Sequence, residues 1–212
     1  NIGGMGIENI KKLKLLTKNE FEKSINFKLN KKNILITFHP VTLEKNTSRE
    51  QFQELLNAIN ELEDTNIIFT KTNSDLNGKI VNQMIDQYTS EYPKKSIGFT
   101  SLGQLKYLSA LQYVDALVGN SSSGLLEAPS FKLGAINIGD RQKGRIRAES
   151  VIDCLPDKKD IQKSFERLYS KDYQELLNTV SNPYDGGLSS KKIVRVLKNF
   201  KLQNVLKKNF YN

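Results

Sequence analysis

The chain has 212 residues, of which 38% are hydrophobic and 26% charged, and a formal net charge of +9. That length supports one sizeable core or two small ones, no apolar run approaches the ~20 residues of a membrane span, and the start lacks the basic-then-apolar pattern of a signal peptide. The single cysteine, Cys154, excludes an internal disulfide and indicates a reducing compartment. We therefore expect a cytoplasmic protein in which Cys154 is a buried, inert thiol.

Short apolar runs alternate with helical periodicity along most of the chain. The run ILITFH, Ile34 to His39, is typical of a buried parallel strand, and later runs predict strands that begin near residues 67, 97, 116, 135 and 151. Helical stripes lie between these runs, and Ser48-x-x-Gln51 and Ser101-x-x-Gln104 match capping boxes. After Asp157 the pattern is purely helical, with helices predicted over 161–169, 173–180 and from 189 to about 206.

Strands that alternate with helices predict βαβ units. Right-handed crossovers then build an open parallel sheet that is covered by helices on both faces. The predicted fold class is therefore α/β, a Rossmann-like doubly wound sheet followed by C-terminal helices. In such a sheet ligands bind at the carboxyl ends of the strands, so the residues at those ends indicate the function.

The segment 115–147 carries the clearest chemistry at two such ends. Ser121 and Ser122 follow the strand that begins near residue 116, at the expected start of a helix, and Arg141 follows the next strand in a loop with three further cations. Free N–H groups, the helix dipole, hydroxyls and guanidinium groups together suit an anion with several oxygens. The alternative is a plain N-cap beside a solvated loop. With both loops at the same edge of the sheet, we favour a phosphate site.

Other strand ends carry further candidates. His39, the only histidine, ends the first strand, and a structural role in the loop is about as well supported as a functional one. Asn73 and Asp75 follow the second strand, where an Asx turn that caps the next helix is the simple alternative. The stretch 100–103 ends the third strand and fits a helix cap with a role at the edge of a site.

Several kinds of site are excluded. Neither a P-loop nor a dinucleotide-binding glycine pattern is present, and one histidine with one cysteine makes a metal site improbable. The positive charge invites a nucleic-acid interpretation, but much of it lies in Lys-Lys pairs on helices and in the tail, without interleaved aromatic residues. We expect no nucleic-acid and no membrane partner.

Five motifs resemble one family in order and rough spacing. They are NIGGMGIENIKKLKLL at the start, FHPVT at 38–42, Asn73-x-Asp75, GNSSSG-x-x-EAPS continuing to NIGDRQKGR, and NPYDGG at 182–187. Together they are similar to the hydrolysing UDP-N-acetylglucosamine 2-epimerases of sialic-acid and related nonulosonic-acid synthesis. The resemblance covers nearly the whole chain. The family's chains are about twice as long, so we expect that a first domain would precede Asn1.

The resemblance implies roles for individual residues. It makes His39 a substrate-contacting, catalytic residue and Asn73 a ligand contact, places Ser121 and Ser122 at the diphosphate, Glu127 at the ribose hydroxyls and Arg141 in the nucleotide site. The ligand it implies is UDP or a UDP-sugar, with no cofactor and no metal.

The resemblance also implies the organisation of the whole enzyme. The chain would be the second, nucleotide-binding domain of a GT-B-type two-domain enzyme, with the crossover and first helices over 1–30, the Rossmann-like domain over 31–188 and a crossover helix over 189–212. The enzyme would convert UDP-N-acetylglucosamine and water to N-acetylmannosamine and UDP. The principal acid–base carboxylates would come from the first domain, so we expect this chain alone to be inactive.

Alternatives remain at this point. They are a GDP-sugar or 2,4-diacetamido-sugar 2-epimerase of the same family, a GT-B glycosyltransferase nucleotide domain, and a non-enzymatic anion- or nucleic-acid-binding module built on the basic surface. We expect the full-length protein to be a homo-oligomer. The apolar residues of the last helix are too many for a helix that faces only water, so we expect its end to expose apolar surface meant for the first domain or to pack on a second copy of the chain.

Overall fold

The computed structural model describes residues 1–41, 47–72 and 76–200, and six strands of this part of the chain form one parallel sheet. In chain order they are β1 Lys32–Thr37, β2 Thr65–Thr70, β3 Ser96–Phe99, β4 Ala116–Gly119, β5 Gly134–Ile138 and β6 Val151–Cys154. Their order across the sheet is β3-β2-β1-β4-β5-β6, and each neighbouring pair is parallel. The predicted strands and fold class are confirmed.

Two of the helices precede these strands in the chain, and the others connect or follow them. The helices are α1 Met5–Lys12, α2 Lys18–Ile25, α3 Ser48–Ile59, α4 Leu76–Glu91, α5 Gly103–Ala110, α6 Ser123–Leu126, α7 Lys158–Leu168, α8 Lys171–Thr179 and α9 Ser189–Asn199, with a 3-10 turn at Ala128–Phe131. The described part of the chain contains no helix long and apolar enough to cross a membrane.

The sheet is covered on both faces. Successive side chains of a strand point to opposite faces, and in β1 Ile34 and Ile36 join the core beneath α3, α4, α7 and α8. Leu35 joins a second core with Phe21 of α2 and residues of α5. Because both faces of β1 are buried, the strand is a continuous apolar run rather than an alternating one.

The strand order reverses at β1. β1 pairs with β2 on one side and with β4 on the other, so the connections that follow β1 and β4 leave the sheet in opposite directions. A crevice forms at such a switch point, outside the carboxyl ends of the strands. The sequence order of the strands thus fixes where a ligand site is to be sought.

Two helix starts differ from the predicted capping boxes. α3 begins at Ser48 itself, which is buried, so the N-cap position belongs to Thr47. α5 begins at Gly103 with Leu102 at the N-cap, because Ser101 Oγ accepts a hydrogen bond from Gly103 N at 3.1 Å and closes a turn ahead of the helix. Both predicted capping boxes are wrong, because neither helix has a side-chain hydrogen bond at its N-cap and neither serine occupies that position.

The two ends of the described chain meet beside α1. Gly4 N donates to Tyr184 O at 2.7 Å, and a methyl group on Gly186 would lie 2.0 Å from the Ile2 carbonyl oxygen, so the close approach requires glycine. Glu8 accepts hydrogen bonds from Lys12 and from the Ser190 backbone and hydroxyl, and these lower the pKa of Glu8 to about 2. The first and last predicted family motifs therefore pack on each other.

The last described helix is poorly covered. α9 leaves Val196, Leu197 and Phe200 more than half exposed. Exposed apolar surface at this helix is as predicted, whereas Val205 and Leu206 lie outside the described residues. Docking of this surface on a first domain, and the predicted domain boundaries, stay predictions.

Candidate functional site

A cleft of about 450 Å³ opens at the carboxyl ends of β1, β2 and β4. Its lining includes Ser121, Ser122 and Glu127, three of the residues singled out from the sequence. α1 forms part of the wall, and the remaining lining comes from the strand ends and the start of α5: Thr37, Thr70, Lys71, Tyr107, Leu108 and the stretch 100–104. The structure thus brings the predicted serines, the predicted glutamate and the predicted edge residues together around one space.

A glycine allows β4 to end against β1. Gly119 has φ +126°, and a Cβ at this position would lie 2.1 Å from the Thr37 carbonyl oxygen. Only glycine accepts both this backbone conformation and this approach. The chain then turns, and Asn120 places the serine loop over the end of β1.

Asn120 joins the two strand ends. Its Oδ1 accepts a hydrogen bond from His39 N at 2.7 Å, and its Nδ2 donates to His39 O at 2.7 Å. Asn120 is almost wholly buried, so neither bond competes with water. The backbone of His39 and the loop that carries Ser121 are therefore held as one unit.

The helix after the serines is shorter than predicted. α6 has four residues, Ser123–Leu126, and gives way to the 3-10 turn that contains Pro129, whose nitrogen has no hydrogen to donate to a continued helix. Four residues sum few peptide dipoles, so the predicted helix-dipole contribution to anion binding is wrong for α6. The hydroxyl and backbone N–H groups of the serine loop are the donors that remain.

The loop after β5 reaches the same place. Arg141 donates from Nη1 to the Asn120 carbonyl oxygen at 2.9 Å, and Gln142 donates to the same oxygen from Nε2 at 2.8 Å. Partial burial, together with the neighbouring Arg145, lowers the pKa of Arg141 from its usual value, but a guanidinium stays charged at neutral pH. Arg141 is thus positioned beside the serine loop.

The other predicted cations do not all converge on the cleft. Arg147 forms an ion pair with Asp153 of β6. Arg147 and Lys143 both line a different cavity, which is described below. Arg145 is exposed in the loop. Of the cationic loop, Arg141 is the residue that contacts the Asn120 network.

Two kinds of contact hold His39 at this edge of the sheet. Besides its backbone bonds to Asn120, its ring Nδ1 lies 2.9 Å from the Thr72 hydroxyl. Thr72 follows β2 and is in turn held by Asn82 of α4, which accepts from Thr72 N at 3.0 Å and donates to Thr72 O at 3.1 Å. Asn73 and Asp75 lie outside the described residues, so the role assigned to Asn73 stays a prediction.

Several residues of this network were missed in the sequence. They are Thr72, Asn82, Asn120, Gln142 and Tyr107. Asn120 gave a usable signal, a polar residue directly after a strand glycine at the switch point. Tyr107 looked like any apolar residue of a helix, yet it lines the cleft. Burial raises its pKa to about 12; the Ser123 and Thr37 hydroxyls act in the opposite direction, and the Glu127 carboxylate acts in the same direction as burial.

A second cavity, also of about 450 Å³, lies at the carboxyl ends of β5 and β6 on the α3 and α7 face of the sheet. Arg147 and Asp153 pair in its wall, and Lys143, Asp140 and Asp160 add one positive and two negative charges. The wall also holds Cys154, whose predicted burial is confirmed and whose pKa burial raises to about 12. Across the described ranges no group of three or more His, Cys, Asp or Glu could hold a metal ion.

A six-stranded parallel sheet of this order, with a polar cleft at its switch point, defines a Rossmann-like α/β domain of the type found in GT-B enzymes. The family model described as UDP-N-acetylglucosamine 2-epimerase matches residues 1–198. The chain belongs to this family.

Individual relatives agree. The chain is 41% identical over 211 residues to the GDP/UDP-N,N'-diacetylbacillosamine 2-epimerase (hydrolyzing) of Campylobacter jejuni, covering 99% of this chain and 54% of that protein. It is 36% identical to polysialic acid biosynthesis protein P7 of Escherichia coli, covering 100% of this chain and 54% of that protein. The chain therefore spans about half the length of the curated relatives it matches.

A solved structure gives the same fold. The S. aureus MnaA–UDP co-structure superposes with a TM-score of 0.71 at 17% identity, over 98% of this chain and 54% of that one. At this identity the likeness concerns the fold.

Proposed function

We propose that this chain is the nucleotide-binding half of a hydrolysing nucleotide-sugar 2-epimerase, which converts UDP-N-acetylglucosamine and water to N-acetylmannosamine and UDP. The observation that carries the proposal is the switch-point cleft, which Ser121, Ser122 and Glu127 line. Arg141 and His39 do not line this cleft, but hydrogen bonds to Asn120 hold both beside the loop that carries the serines. Family membership supports it.

The serine loop and Arg141 suit the diphosphate. Hydroxyl and backbone N–H groups donate to phosphate oxygens, and a guanidinium adds a charge-assisted pair. Asn120 matters here because its carbonyl oxygen already accepts two hydrogen bonds, from Arg141 and Gln142. The guanidinium is thereby held beside the loop before any ligand arrives, which lowers the cost of ordering it on binding.

Glu127 suits a different part of the nucleotide. A carboxylate that faced the diphosphate would repel it, whereas ribose hydroxyls donate hydrogen bonds that a carboxylate accepts. Glu127 lines the same cleft as the serines, so one bound molecule can meet both. The stretch 100–104, which also lines the cleft, then remains for the base.

The chemistry requires more than the nucleotide site. Elimination of UDP and hydration of the resulting glycal need acid–base groups at C1 and C2 of the sugar, and binding a diphosphate equally well in substrate and transition state accelerates neither step. His39 is the only histidine of the chain and cannot serve both carbons. We infer that the first domain supplies the remaining groups and that this chain alone is inactive.

The relatives favour a second candidate for the sugar. The 41% identical protein is named a GDP/UDP-N,N'-diacetylbacillosamine 2-epimerase, and a 30% identical protein of Legionella pneumophila is named a UDP-N,N'-diacetylbacillosamine 2-epimerase. A 2,4-diacetamido sugar linked to UDP or GDP is therefore the alternative substrate. The reaction at C2 would be the same.

Titration calorimetry on the 212-residue chain tests the nucleotide claim. UDP should bind, and UMP and uridine should bind progressively more weakly because most of the affinity comes from the diphosphate. GDP in a parallel titration identifies the preferred base. Uridine binding as tightly as UDP, or no binding of either diphosphate, would contradict the proposed site.

A further inference from the structure

The imidazole of His39 has a partner that the sequence did not indicate. Its Nδ1 lies 2.9 Å from the hydroxyl of Thr72, a residue of the neighbouring strand end that is 8% exposed. The contact joins residues 33 positions apart in the chain and crosses from the end of β1 to the end of β2. A buried hydroxyl at this distance restricts the rotation of the ring.

Thr72 is itself fixed. The side-chain amide of Asn82 bonds both the N–H and the carbonyl of Thr72, at 3.0 and 3.1 Å, and Asn82 stands on α4, which packs on the sheet. On the other side, Asn120 bonds the N–H and the carbonyl of His39 at 2.7 Å each. Two asparagines therefore hold the backbones of Thr72 and His39, and the hydroxyl then sets the imidazole.

The chemistry of the partner matters. A carboxylate at Nδ1 would favour the imidazolium, whereas a hydroxyl donates to a neutral ring and accepts from a charged one, so it orients the ring in both protonation states. A diphosphate offers only acceptor oxygens. A neutral imidazole that meets it must carry its proton on Nε2, and Nδ1 must then be an acceptor.

We propose that Thr72 is a positioning residue, which donates its hydroxyl hydrogen to His39 Nδ1 and thereby fixes the orientation in which the imidazole meets the ligand. This inference rests on the proposed function for the identity of the ligand. It assigns to Thr72, and behind it to Asn82, a role that acts on the ligand through His39.

A double-mutant cycle tests this role by UDP titration of the 212-residue chain. Thr72→Val keeps the shape of the side chain and its backbone bonds but removes the hydroxyl, and it should weaken UDP binding about three- to tenfold, the effect of one hydrogen bond. Thr72→Ser restores the hydroxyl and should bind UDP within about twofold of the parent chain. In a His39→Ala background, Thr72→Val should not weaken UDP binding any further.

Other results would overturn the proposal. An equal loss in both backgrounds would mean that Thr72 acts on the fold or on the ligand directly, and failure of Thr72→Ser to restore affinity would exclude the hydroxyl. Melting temperatures of the four variants identify any that fail to fold.

A second measurement does not depend on UDP. Because the chain has one histidine, its imidazole NMR signals belong to His39. They should shift in Thr72→Val and stay in place in Thr72→Ser. Unchanged signals in Thr72→Val would refute the contact. A parent chain that shows the NMR response but binds no UDP would refute the proposed function and leave Thr72 with no ligand to act on, which refutes its role as well.

Discussion

Two cavities of about the same size lie at the same edge of this sheet, and they differ in how their polar groups are used. Beside the switch-point cleft, the side chains of Asn120 and Asn82 form hydrogen bonds with the backbones of His39 and Thr72. In the second cavity Arg147 and Asp153 neutralise each other, and the other charges of the lining, Lys143, Asp140 and Asp160, leave an excess of one carboxylate. Volume alone therefore does not identify a ligand site. The arrangement of donors that remain available at a switch point does.

The largest effect we expect concerns turnover. The purified 212-residue chain should release no measurable UDP from UDP-N-acetylglucosamine or from a UDP-linked diacetamido sugar in a coupled assay, because a site that only holds the diphosphate supplies no acid–base chemistry at C1 and C2. UDP titration of the same preparation is the control for a competent cleft. Robust turnover would place the catalytic groups within this chain.

Removing the guanidinium beside the serine loop should have the next largest effect. Arg141→Ala should weaken UDP binding by about 1.5–3 kcal/mol, roughly 10- to 150-fold in Kd, because a charge-assisted pair is lost. Arg145→Ala is the matched control, since it removes the same charge from the same loop but keeps the Arg141 guanidinium that bonds Asn120, and it should change the affinity far less. Equal losses in the two variants would mean that only the general positive potential matters.

Weakening the expected ribose contact should have a smaller effect on affinity, and only for ligands that contain ribose. Glu127→Gln keeps the size of the side chain but weakens it as an acceptor, so the affinity for UDP should fall about three- to tenfold. Inorganic pyrophosphate, which has no ribose, should bind the variant at least as well as the parent chain, because a negative charge near the cleft is removed. A loss of pyrophosphate binding would place Glu127 in a structural role.

A substitution in the second cavity should leave UDP affinity nearly unchanged in the same titrations. Arg147→Ala removes the partner of Asp153, and the free energy of unfolding should fall by no more than about 1 kcal/mol because both side chains are partly exposed. UDP affinity should stay within about twofold. A large loss of affinity would show that the nucleotide uses this cavity.

Cys154 provides a chemical probe of the second cavity. Burial raises the pKa of its thiol to about 12, so the reactive thiolate is scarce in the folded protein at pH 8 and becomes appreciable only as the pH approaches that value. Iodoacetamide should label the native chain much more slowly than the chain in denaturant, where the pKa returns to its ordinary value. Rapid labelling of the native chain would mean that the cavity is open and polar.

Part of this structure was predictable from the sequence. All six strands were predictable, since buried parallel strands such as β1 are continuous apolar runs, and their order along the chain put Ser121 and Glu127 at the right edge. The hydrogen bonds of Asn120 were not predictable, because this side chain bonds the backbone of a residue 81 positions away and no local sequence pattern indicates that contact. The length of α6 was missed for a local reason, the position of Pro129.

The most direct test of the account is a crystal structure of this chain with UDP. The diphosphate should lie in the switch-point cleft, within hydrogen-bond distance of Ser121, Ser122 and the Arg141 guanidinium, with Glu127 at the ribose hydroxyls. A diphosphate bound in the second cavity beside Lys143 and Arg147, with the switch-point cleft empty, would contradict it.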